Sequence, residues 1–154
     1  MEHPNDDMIR IAIVDDDKDE HELFVQSLKK LNLPHIVYRA SGCHDLFTTL
    51  DEEILPDLIF MDINMPLPNG LECLKRLKKH ARYKHIPVVM YSVSSASEDI
   101  EKAYQGGAHY YIVKPYAPAN LPSTLRKVLE HDWKKIQSVP EHSAFVINLS
   151  FANE

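Results

Sequence analysis

Five times along this chain a short run of β-branched and aliphatic residues gives way to a longer stretch with apolar side chains at helical spacing. Ile9–Val14 reads IRIAIV and runs straight into Asp15, Asp16 and Asp17. It is a strand pattern that ends at an acidic loop. Lys18 to Leu31 follows, with Leu23, Phe24, Leu28 and Leu31 at helical spacing, and Asp17 with Glu20 resembles a capping box at its start. The rhythm repeats with a strand at His35–Ala40 and a helix at Ser41–Leu50. A strand over Asp57–Asp62 precedes a Pro- and Gly-containing loop from Ile63 to Gly70 and a helix marked by Leu71, Leu74 and Leu77. Ile86–Tyr91 then leads to a helix over Ser97–Gln105, which Gly106 and Gly107 stop. His109–Val113 leads to a last helix over Pro118–Trp133, with Leu121, Leu125, Val128 and Leu129 facing inward.

Strands that are apolar on both faces must be covered on both faces. Strands alternating with helices therefore imply an α/β fold built on a doubly wound parallel sheet. Right-handed crossovers leave few topologies, and the expected five-stranded order is 2-1-3-4-5. Residues 1–8 read as a polar leader, 9–133 as one domain and 134–154 as a tail. In the tail, Phe145, Ile147, Leu149 and Phe151 alternate with polar residues. That pattern suits an added strand, a clasp over the domain, a pairing edge or a partly ordered end.

Composition bounds the partners. Lys and Arg number 17 against 23 Asp and Glu, a net charge of −6 in 154 residues. This balance argues against a general nucleic-acid binder, which needs a basic surface. No apolar run is long enough to span a bilayer and no signal-peptide core opens the chain, so a cytoplasmic setting without membrane contact is expected. The two cysteines, Cys43 and Cys73, form no CxxC pair and read as reduced, small apolar residues. The nine histidines show no metal-ligand spacing, and most are expected at the surface.

In an open α/β sheet, ligands bind beyond the carboxyl ends of the strands where the strand order reverses. Here that point lies between strands 1 and 3, whose ends carry Asp15 and Asp16 on one side and Asp62 on the other. Three converging carboxylates raise one another's pKa unless a cation compensates, and hard oxygen ligands suit Mg²⁺. Solvated capping aspartates are the plainer alternative, and Asp17 is read as one. Strand 4 ends at Ser92 and strand 5 at Lys114-Pro115, which directs a hydroxyl and an ammonium at the same pocket. Such groups neutralise the oxygens of a transferring phosphoryl group, and a central carboxylate can take it as an aspartyl phosphate.

These pieces, Val14-Asp15-Asp16, Asp62-Ile63-Asn64-Met65-Pro66 with Gly70, Ser92 and Val113-Lys114-Pro115, occur in order. From about Ile9 to about Trp133 the chain resembles bacterial receiver domains of two-component response regulators, in the flavodoxin-like fold of the chemotaxis regulator. The resemblance implies Asp62 as phospho-acceptor, Asp16 as direct Mg²⁺ ligand and Asp15 as an acid holding the ion largely through water. It also implies the Asn64 backbone carbonyl as a ligand, Ser92 as switch hydroxyl, Lys114 as phosphate contact and Tyr111 as aromatic switch. A cis Lys114–Pro115 bond is expected on the same ground. Asp99-Ile100, Ala103-Tyr104 and Trp133 resemble the single-domain regulators that partner bacterial phytochrome kinases.

One departure is Val93, where receivers usually carry a very small residue. Its branched side chain is expected to narrow the path to Asp62 and to lengthen the life of the phosphorylated state. The implied partners are a histidine kinase or phosphotransfer protein and a downstream protein, since no output domain fits after Trp133. A homodimer through helix 4, strand 5 and helix 5 is expected. The rivals are a haloacid-dehalogenase-type phosphatase, suggested by the Asp15–Asp17 spacing, and an interaction module that is never phosphorylated.

Overall fold

The computed structural model of the chain describes residues 8–115, 117–135 and 140–147. Residues 1–7 of the leader, Tyr116, and Leu149 and Phe151 of the tail lie outside the described residues. The strands are β1 (Ile9–Val14), β2 (His35–Ala40), β3 (Leu58–Met61), β4 (Val88–Ser92), β5 (Tyr110–Val113) and β6 (Val146–Ile147). The helices are α1 (Lys18–Lys29), α2 (Cys43–Glu52), α3 (Gly70–Lys79), α4 (Ser97–Gln105) and α5 (Leu121–Leu129). One parallel sheet runs in the order β2-β1-β3-β4-β5-β6. It contains the expected five-strand order and adds β6 at the β5 edge.

The alternation of side chains along each strand splits the core into two layers. Ala12, Val14, Ile59, Met61, Val88 and Met90 meet Leu46 and Leu50 of α2, Leu74 and Leu77 of α3, and Ala103 of α4. Ile11, Ile13, Leu58, Phe60, Val89 and Tyr91 meet Phe24 and Leu28 of α1 and Leu121, Leu125 and Val128 of α5. The central strands β3 and β4 are buried along their whole length. That is why their sequence reads as continuous apolar runs rather than as alternation.

Local chemistry fixes the start of α1 at the expected Lys18 and moves the starts of two other helices. Asp17 caps α1 by accepting from the Asp19 amide, but its own N–H donates to Asp15 Oδ1 at 3.0 Å. The reciprocal half of the capping box is therefore absent, and Glu20 turns elsewhere. Helix α2 begins at Cys43, after the capping position Gly42. The last helix opens as a 3₁₀ turn at Pro118–Asn120 and restarts as α5, with Pro122 in the first turn where its missing N–H costs nothing. It ends at Leu129, and Trp133 packs back by donating Nε1–H to the Val128 carbonyl at 2.9 Å.

Two expectations are corrected. Cys43 and Cys73 are joined as a disulfide, with their Cα atoms 5.7 Å apart. Consecutive crossovers put α2 and α3 side by side on one sheet face, and residue spacing carries no trace of that contact. The Lys114–Pro115 bond is trans; among the described residues the cis bond is Leu67–Pro68. The preference between the two X–Pro isomers is only ~1 kcal/mol, so the residue pair alone does not dictate it.

The tail segment is tied to the domain. The Tyr111 amide donates to the Phe145 carbonyl at 3.0 Å, and β6 pairs with β5 through Tyr111↔Val146 and Ile112↔Ile147. Phe145 is fully buried, edge-on to Tyr104 at 5.1 Å. An open parallel edge at β5 is thereby covered. Phe145→Ala is expected to lower the unfolding free energy by about 3 kcal/mol, read by urea denaturation; a loss below ~1 kcal/mol would show that the docked segment contributes little.

Candidate functional site

Parallel pairing of β1 with β3 aligns Val14 with Met61, so the next residues on each strand, Asp15 and Asp62, emerge side by side. Backbone bonds fix both: Asp62 N–H donates to the Val14 carbonyl at 3.0 Å and Asp15 N–H to the Ala40 carbonyl at 3.1 Å. Carboxylate oxygens of Asp15, Asp16 and Asp62 lie within 4.8 Å of one another. Asp15 and Asp62 are buried, and Asp16 is exposed at the mouth of the pocket.

The β5 end supplies the counter-charge. Lys114 Nζ lies 3.1 Å from Asp15 Oδ2, 3.6 Å from Glu20 Oε2 and 3.7 Å from Asp62 Oδ2. It also sits 5.0 Å above the Tyr91 ring, a contact that favours a cation. Burial alone depresses an ammonium, but the three facing carboxylates outweigh it and hold the Lys114 pKa above its usual value. Asp62 goes the other way. Burial, then Asp15 and Asp16, push its carboxyl up to about 6, against the pull of Lys114 and the Asn64 amide.

On the opposite wall, Ser92 is fully buried at the β4 end. Its Oγ accepts from Asn64 Nδ2 at 3.4 Å and from the Ser94 amide at 3.2 Å. Asn64 N–H in turn donates to Asp62 Oδ1 at 3.3 Å. Tyr111 is turned inward, fully buried, and donates its hydroxyl to the Ser94 carbonyl at 2.8 Å. Asp62, Asn64, Ser92, Ser94 and Tyr111 thus form one connected path. Val93, beside this path, is 68% exposed.

All the residues singled out in the sequence, Asp15, Asp16, Asp62, Asn64, Ser92, Lys114 and Tyr111, gather around this pocket. Three others, Glu20, His21 and Ser94, belong with them, as does Gly70 of the sequence motif. Glu20 faces Lys114 in place of the capping role its spacing suggested. His21 is buried and donates Nε2–H to the Asp15 carbonyl at 2.6 Å. Ser94 links Ser92 to Tyr111. Gly70 passes so close to the Asp62 carbonyl that any Cβ there would collide with it. A second histidine, His109, is also buried, and burial followed by the nearby Lys78 pushes its pKa down to about 4. It is a neutral core residue rather than a surface one.

The donor set fits a hard divalent cation: three carboxylate oxygens on one side, and a solvent-exposed mouth that leaves room for water ligands. The same pocket presents an ammonium and a hydroxyl to whatever binds beyond the cation. This is the arrangement that phosphoryl chemistry needs.

The family model described as the response regulator receiver domain matches residues 11–126. Chemotaxis protein CheY1 of Helicobacter pylori is 27% identical over 121 residues, 79% of this chain and 97% of that protein. The chemotaxis protein CheY homologue of Campylobacter jejuni is 28% identical over 123 residues, 79% of this chain and 92% of its own. Among solved structures, the phosphorylated cyanobacterial phytochrome response regulator RcpA is similar at a TM-score of 0.75 and 28% identity, covering 87% of this chain and 99% of its own.

An acid whose pKa rises on folding opposes folding once it ionises. For Asp62 that cost is absent below its ordinary value of 3.8, grows up to about 6 and stays constant above. Without divalent cations, Asp62→Asn is therefore expected to stabilise the protein at pH 8 by about 1 kcal/mol, allowing for solvent screening at the pocket mouth. At pH 3.5 it should give no gain. Thermal unfolding at the two pH values checks this; an equal gain at both would contradict it.

Proposed function

This chain belongs to the response regulator receiver domain family, a phosphoryl-accepting signalling switch, and we propose that Asp62 is the residue that takes the phosphoryl group. The observation that carries this reading is the central place of Asp62, between Asp15 and Asp16 on one side and Lys114 and Ser92 on the others. With its pKa held at about 6, Asp62 is mostly ionised at neutral pH and available as a nucleophile. An Asp62 oxygen attacks phosphorus in line, and the histidine nitrogen of a kinase or phosphotransfer protein leaves. Lys114 attracts the transferred oxygens, and the Ser92 hydroxyl and Asn64 amide border the space they enter.

A bound Mg²⁺ would neutralise charge between the carboxylates and the phosphoryl oxygens. Asp16 and Asp62 would hold it directly, Asp15 largely through water, and the Asn64 backbone carbonyl would complete the set. On phosphorylation Ser92 shifts toward the new oxygens, and the Ser94 segment passes that shift to Tyr111. The protein's chemistry is confined to its own phosphorylation and dephosphorylation. Its output passes by protein contacts through α4, β5 and α5, the surface also proposed for a homodimer, with the 140–147 segment forming part of that face. The setting proposed is the cytoplasm. The likeness to RcpA, at 28% identity over 87% of the chain, favours a phytochrome-type kinase as phosphodonor.

Incubation with acetyl phosphate and Mg²⁺ should add one phosphoryl group to the wild-type chain and none to Asp62→Asn, as read by intact mass. Continuous multiple turnover of phosphate esters would instead support the phosphatase, and no label on either form would support the unphosphorylated module. Lys114→Ala should slow labelling about a hundredfold, the usual loss when one charge-stabilising donor is removed. Val93→Ala should shorten the lifetime of the labelled state about fivefold, equivalent to ~1 kcal/mol of barrier; an unchanged decay rate would show that Val93 does not shield the phosphoryl group.

A further inference from the structure

Cys43 and Cys73 are the chain's two cysteines, and the proposed phosphoryl chemistry uses neither. They meet across a separation of 30 residues, at the start of α2 and in the first turn of α3. Both are buried, Cys43 at 3% exposure and Cys73 completely. Yet Cys43 is the first residue of its helix, where the dipole favours a thiolate. A side-chain carbon at the preceding Gly42 would meet nothing within 4 Å, so open space adjoins this helix start. Of the two, Cys43 lies nearer to solvent.

The far end of the bond is anchored to the loop after Asp62. Cys73 N–H donates to the Asn69 carbonyl at 2.9 Å, and Gly70 N–H donates to the Ile63 carbonyl at 3.0 Å. Gly70 itself lies against the Asp62 carbonyl. A covalent tie at Cys73 thus restrains the segment 63–73 through its closing helix.

We propose that Cys43 and Cys73 form a reversible redox site, oxidised by a low-molecular-weight disulfide of the glutathione type, whose closure ties α2 to α3 and stiffens the loop that follows Asp62. The Cys43 thiolate attacks one sulfur of oxidised glutathione, forming a mixed disulfide and releasing one glutathione thiolate. Cys73 loses its proton and attacks the Cys43 sulfur, expelling the second glutathione thiolate, which accepts that proton. Two protein thiols are oxidised, and one reagent disulfide is reduced to two thiols. A dithiol reductant reverses both steps. The pair rests as thiols in a reducing compartment and closes under oxidative load. This inference concerns the stiffness of the loop and stands whether or not Asp62 is the phospho-acceptor.

The test equilibrates the full chain in glutathione buffers from fully reduced to fully oxidised, with acid quench, thiol alkylation and peptide mass mapping. One reversible two-electron transition joining the Cys43 and Cys73 peptides is expected. Deuterium uptake over residues 63–73 should then be about tenfold faster in the reduced protein, a decade in the local opening equilibrium. Cys43→Ser in either buffer, and Cys73→Ser in the reduced buffer, should exchange like reduced wild type, whereas Cys73→Ser in oxidised glutathione should stop at the mixed disulfide on Cys43, read by mass. If either variant fails to fold, the two redox states of wild type still decide the matter. Failure to cross-link in oxidised glutathione, a bond that folded protein keeps in every buffer, or equal deuterium uptake in the two states would overturn the proposal.

Discussion

Three carboxylates held within 4.8 Å at the ends of β1 and β3 repel one another, and the site is organised around that repulsion. Burial makes it worse, because Asp15 and Asp62 have little solvent to screen them. Among the described residues the fold supplies one fixed cation there, Lys114, which reaches Asp15, Glu20 and Asp62 together. That is one ammonium against four acids once Asp16 is included. Burial first, then Asp15 and Asp16, raise the pKa of Asp62 against the pull of Lys114, and a divalent cation at these oxygens would offset both causes.

The sheet makes this cluster unavoidable. Parallel strands with right-handed crossovers bring their carboxyl ends to one edge, and the reversal of strand order between β1 and β3 opens the crevice there. The same edge carries Ser92 and Lys114. From Ser92 a run of hydrogen bonds through Ser94 reaches Tyr111, whose backbone pairs with the docked tail and whose ring lies near Phe145. A change in charge at Asp62 is thus mechanically connected to the α4–β5 face.

Much of this was legible in the sequence because it is encoded by periodicity. The boundaries of β1, β2 and α4 follow directly from apolar runs and from Gly106, and Asp15, Asp16, Asp62, Ser92 and Lys114 sit at strand ends that the pattern locates, whereas Asn64 and Tyr111 are reached only through the family resemblance. What escaped the sequence depends on contacts between distant elements. Glu20 has the spacing of a capping residue, yet Asp15 occupies the amide it would have bonded, so it turns to Lys114. The meeting of Cys43 and Cys73 needs α2 and α3 to be neighbours. His109 is polar by type and buried by position. The docking of Phe145 was one of several readings of an alternating tail, and only the free edge of β5 selects it.

The central claim is that Asp62 becomes phosphorylated beside a divalent ion held by its neighbouring acids. It is tested most directly by a crystal structure of the full chain with Mg²⁺ and beryllofluoride, which mimics an aspartyl phosphate. The account predicts the adduct on an Asp62 oxygen, the cation on Asp16 and Asp62, and Lys114 and Ser92 in hydrogen-bond contact with the fluorides. A beryllofluoride adduct on Asp15, or electron density for neither adduct nor cation at a crystal soaked to saturation, would contradict it.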